Sequence, residues 1–85
     1  MSVPAPSPAA RELFARHARK DGRSVAVLRA LETDGSYVVE AEVFPLDGDP
    51  VRPGPYAFAD GREATAFVTE AVEALLYLGC DVRAE

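Results

Sequence analysis

The apolar positions of this 85-residue chain change their period along its length. Ala10, Leu13, Phe14, His17 and Ala18 recur at steps of three and four, with Arg11, Glu12, Ala15, Arg16, Arg19 and Lys20 between them. That spacing predicts a helix over about residues 8–20. Ser7 offers its N-cap hydroxyl and Pro8 suits the first helical position. Arg19 and Lys20 would complement the dipole of the last turn, and Gly22 would supply the left-handed residue after it.

The period then drops to two. Residues 24–32 and 36–45 are Val-rich extended runs joined by Thr33-Asp34-Gly35, and Asp-Gly between alternating runs is a strong hairpin signal. A two-residue turn at Asp34 and Gly35 sets Ala30 against Val39, Leu28 against Ala41 and Ala26 against Val43, one face of small apolar side chains. The other face pairs Leu31 with Val38, Arg29 with Glu40, Val27 with Glu42 and Val25 with Phe44. The opposite charges of Arg29 and Glu40 independently favour this register. Residues 45–55 hold four prolines and two glycines and read as a loop. Residues 56–59 fit a short third strand, which Pro53 and Pro55 place at a sheet edge.

The helical period returns after Asp60. Asp60 and Glu63 form a capping-box-like pair, and Ala64, Phe67, Val68, Ala71, Val72, Leu75 and Leu78 make a broad apolar stripe that Gly79 ends. Residues 80–82 trail away as a short extended piece. The expected order is α-β-β-β-α: a two-layer α+β domain whose antiparallel three-stranded sheet packs on a long C-terminal helix. Residues 1–6 alternate proline with small residues and read as a flexible tail, leaving 7–85 as a single domain. Phe67, Leu75 and Leu78 are expected to fill the space that the alanines of the sheet leave.

Charge changes this picture more than composition does. Residues 1–29 carry a balance of +4 and residues 30–85 a balance of −9. Such asymmetry fits a basic element that meets a polyanion, or two surfaces that meet each other. Arg11, Arg16, Arg19, Lys20 and Arg23 form the candidate basic patch. The α-β-β-β-α order resembles the double-stranded RNA-binding domain, which would imply nucleic-acid contacts through the first helix. That family's second helix opens with a lysine cluster where this chain reads Asp60-Gly61-Arg62-Glu63, and a net charge of −5 repels a polyanion. Nucleic acid is therefore the disfavoured partner.

No catalytic, cofactor or metal motif stands out. His17, the lone histidine, has no partner in the predicted first helix and reads as a boundary residue beside Leu13 and Phe14. Cys80, the lone cysteine, follows a helix C-terminus beside Asp81, where a thiolate is disfavoured, and reads as a small buried hydrophobe. Asp47-Gly48-Asp49 is a fragment of a calcium loop without its remaining ligands. Glu40/Glu42 and Glu70/Glu73 fall on solvated faces. Neither a secretory signal nor a membrane-spanning run is visible, so the chain reads as cytoplasmic; eight arginines to one lysine suggest GC-rich, bacterial coding DNA.

The expected function is a small non-catalytic protein-interaction domain, most simply a homodimer, with another protein as the alternative partner. Val25, Val27, Leu31, Val38 and Phe44 are too apolar a set to leave in water. Either a second subunit covers them or the first helix folds over them in a three-layer monomer.

Overall fold

A computed structural model describes residues 11–85. Residues 1–10, including the expected tail and the Ser7–Pro8 cap, lie outside the described residues. The elements run β1 (Arg11–Lys20), β2 (Arg23–Thr33), β3 (Ser36–Val43), β4 (Tyr56–Phe58), α1 (Gly61–Tyr77) and β5 (Asp81–Ala84). The protein is α+β, with one antiparallel sheet in the order β4-β3-β2-β1-β5.

The expected first helix is β1, so the α-β-β-β-α order gives way to β-β-β-β-α-β, with five strands rather than three. The turn explains why. Asp21 and Gly22 both adopt positive φ, at 53° and 78°, as a type I′ hairpin turn requires. Asp34 and Gly35 repeat this geometry at 49° and 78° between β2 and β3. Two Asp-Gly hairpins therefore build a three-strand meander. The helix that would have folded over the outer sheet face is absent, and the three-layer alternative goes with it. The element order no longer resembles the double-stranded RNA-binding domain.

The β2–β3 register is the expected one throughout, from Thr33↔Ser36 to Ala26↔Val43. The β1–β2 ladder carries two irregularities. Glu12 pairs with Leu31 and Phe14 with Ala30, which leaves Leu13 extra on β1; Ala18 pairs with Ala26 and Arg19 with Ser24, which leaves Val25 extra on β2. As expected, β4 forms an edge of the sheet, through Tyr37↔Phe58 and Val39↔Tyr56. The trailing piece after α1 is β5, paired with β1 at the other edge.

A single helix covers one face. The 17 residues of α1 span about 25 Å, against about 19 Å for a sheet of five strands. That length lets α1 link the β4 edge to the β5 edge. Leu28, Val39, Ala64 and Val68 form the central core, with Phe14, Tyr37, Ala41, Phe58, Phe67, Ala71, Val72 and Leu75 packed around it. Phe67 holds the β4 edge, its ring 4.9 Å from Tyr56 and 5.3 Å from Phe58. A second cluster of Ala18, Ala26 and Cys80 sits beside Leu75 and Val82.

Both ends of α1 are capped. Asp60 accepts a 2.9 Å hydrogen bond from the Glu63 amide. At the other end the Gly79 amide donates to Leu76 O and the Cys80 amide to Leu75 O, a Schellman motif in which Gly79 takes φ 92°. Cys80 then packs near Leu75, the apolar contact that accompanies this cap. The expected role of Leu78 is corrected here: it is the C-cap, lies outside the buried stripe and is 66% exposed. No helix among the described residues is long and apolar enough to cross a membrane.

Candidate functional site

The face of the sheet turned away from α1 collects most of the chemistry. Strand alternation assigns the side chains. Ala26, Leu28 and Val39 belong to the core clusters under α1 and Ala30 is buried, so Val27, Arg29, Leu31 and Val38 stand on the outer face. The pairings arrange that face in rows across the strands. One row holds Leu31, Val38 and Ala57, with Glu12 opposite Leu31 and the extra residue Leu13 beside it. The next holds Ala15, Arg29 and Glu40, and the third Arg83, His17, Val27 and Glu42.

Of the five expected interface residues, Val27, Leu31 and Val38 share this face and are half-buried. Phe44 follows β3, with its amide donating to Val25 O at 2.8 Å. Val25 itself packs against the Ala18–Ala26–Cys80 cluster, because the bulge inserts it beside Ala26. Surface apolar side chains outside the expected set include Leu46 in the loop and Leu76 near the end of α1, and Tyr77, on the far side of the helix from its apolar stripe, is 95% exposed.

Of the expected basic patch, Arg19, Lys20 and Arg23 gather at the β1–β2 turn, where Lys20 pairs with Arg23, while Arg11 lies at the far end of β1 opposite Glu32. Each of the five cations meets a partner in the same chain. Arg11 pairs with Glu32, and Arg16 donates to Ala15 O and lies 5.0 Å over the Phe14 ring. Arg19 donates to Gly22 O at 3.0 Å and Lys20 to Leu78 O at 2.9 Å, while Arg23 reaches both Phe44 O and Pro45 O. Lys20 thus supplies a cation at the C-terminus of α1, whose own last turn has none.

A cavity of about 200 Å³ lies on the outer face, walled by Val27, Arg29, Glu40, Glu42, Arg52 and the prolines Pro53 and Pro55. Arg52 lies 3.4 Å from Glu42, and Arg29 lies 3.6 Å from Glu12 rather than being tied to Glu40. Both ion pairs are largely solvated and add little to stability.

His17 is not beside Leu13 and Phe14 as expected. Its Nε2 lies 2.7 Å from Ser24 Oγ, and its Nδ1 lies 4.0 Å from Glu85 Oε1. Sequence reasoning missed both neighbours because it placed His17 on a helix. Asp21-Gly22 was the available signal, since that turn folds β1 back on β2 and brings residue 17 near residue 24. Cys80 is buried, in keeping with its reading as a small hydrophobe. Among the described residues no group of three or more His, Cys, Asp or Glu side chains is placed to hold a metal ion.

No protein-family model, curated protein or solved structure matches the chain. The functional reading therefore rests on the geometry of the outer face.

Proposed function

We propose that this chain is a protein-interaction domain that pairs with a second copy of itself through the outer face of its sheet. The observation that supports this most is the row Leu31–Val38–Ala57, flanked by exposed Leu13, on the face that α1 does not cover. Apolar side chains aligned across adjacent strands form a contiguous strip, which favours association over solvation. The neighbouring row sets Arg29 beside Glu40, opposite charges that a two-fold related copy would meet in reversed order. A self-complementary patch of this kind is what a two-fold interface needs. The molecule is a slab with principal extents of 41 × 35 × 19 Å, so its broad face has room for the roughly 800 Å² per partner of a standard interface.

The test is the mass in solution. Sedimentation of the wild-type chain should give a dimer, and Val38→Lys should give a monomer with an unchanged circular dichroism spectrum. Leu46→Lys, on the exposed loop, should leave the mass as it is. A wild-type monomer at ~0.5 mM, far above the micromolar range of ordinary association, would end this reading.

A further inference from the structure

We propose that Ser24 is an acyl-accepting nucleophile and that His17 is its general base, toward the β1–β2 turn from the apolar row of the outer face. Ser24 Oγ and His17 Nε2 are 2.7 Å apart, within the reach that proton transfer needs. The Asp21-Gly22 turn sets Ser24 opposite Arg19, two residues from His17 on β1, while the extra residue Val25 moves His17 opposite Val27.

The surroundings suit the assignment. Glu85 Oε1 lies 4.0 Å from Nδ1, on the side of the ring away from Ser24. The Glu85 amide donates to Ala15 O at 3.1 Å, which anchors the backbone that carries this carboxylate. Val27, opposite His17, is also a wall of the outer-face cavity. That cavity, of about 200 Å³, is walled by Arg29, Glu40, Glu42 and Arg52 as well as by Val27, Pro53 and Pro55, so its mouth is mostly charged. Four residues of β2, roughly 13 Å, separate Val27 from Leu31 in the apolar row.

The substrate class is a small carboxylic ester with a good leaving group. Ser24 Oγ attacks the carbonyl carbon while its proton passes to His17 Nε2. The bond to the leaving alkoxide or phenoxide breaks, and that group departs with the proton from the imidazolium. Water then attacks acyl-Ser24, giving its proton to Nε2; the bond from the acyl carbon to Oγ breaks, Oγ takes that proton back from the imidazolium, and the acid leaves.

The probe is p-nitrophenyl acetate. Peptide mapping of the treated wild-type chain by mass spectrometry should place the acetyl group on Ser24, a readout that needs no variant. His17→Gln should slow that acetylation about 100-fold or more, and Ser24→Ala should abolish p-nitrophenol release above the buffer rate. An acetyl group only on Lys20 or another side chain, or an unchanged rate in His17→Gln, would overturn the proposal. So would release that survives in Ser24→Ala, because His17 would then be acting alone.

Discussion

At the residue scale, Cys80 and His17 show how environment decides the role of a reactive side chain. Cys80 lies in the apolar cluster with Ala18 and Ala26, and its amide closes the Schellman motif at the C-terminus of α1. Burial keeps reagents away from the thiol. Cys80 in the folded chain should react with a thiol reagent more slowly than free cysteine at pH 7, with its rate rising on denaturation. Cys80→Ser places a hydroxyl in an apolar site and should cost about 1–2 kcal/mol in urea unfolding. A thiol that labels faster than free cysteine would show an activated group and contradict this account. His17 meets a hydroxyl and a carboxylate instead, on the outer face of the sheet. The burial of Cys80 was legible from a glycine-terminated apolar helix. The partners of His17 depended on the strand pairing that the Asp21-Gly22 turn sets, a dipeptide that also reads as a helix stop.

At the element scale, the elements with one dominant period were readable and the one with two was not. The hairpin from β2 to β3 and the span of α1 follow from strict alternation and a broad helical stripe. In β1, Phe14 and Ala18 are four residues apart, a spacing that is one helical turn and also two strand repeats. Arg16 between them argued for a helix, since a strand would put it on the same face as both. It is tolerated there because its guanidinium lies over the Phe14 ring and donates to Ala15 O. Ala, Arg, Glu and Leu are good helix formers, but pairing with β2 and β5 outweighs that preference. The dipeptide Asp21-Gly22 carried the decisive signal and could also be read as a helix stop. Gly22→Ala and Gly35→Ala test the equivalence of the two turns. A Cβ at either position meets nothing within 4 Å, so the cost is the left-handed backbone alone, about 1–2 kcal/mol in each case. If residue 22 instead ended a helix, circular dichroism of Gly22→Ala would show a longer helix with little loss of stability.

At the scale of the whole molecule, the cations sorted into the start of the sequence become ties within the fold. Arg11, Arg16, Arg19 and Lys20 lie on β1 and Arg23 at the start of β2. Arg23 pins the start of the loop after β3, Lys20 caps α1, and Arg11 ties β1 to β2 through Glu32. A guanidinium or ammonium that moved to a phosphate would have to leave these carbonyl or carboxylate partners. The rest of the chain, at −9 over residues 30–85, repels a polyanion as it approaches. Affinity for duplex RNA or DNA should therefore be no tighter than the non-specific range of ~10⁻⁴ M at physiological salt. Fluorescence anisotropy with a labelled duplex across a salt series measures this directly. Five phosphate contacts would instead give submicromolar binding whose logarithm falls with log salt at a slope near −4 to −5, and that result would restore the basic patch as a functional surface.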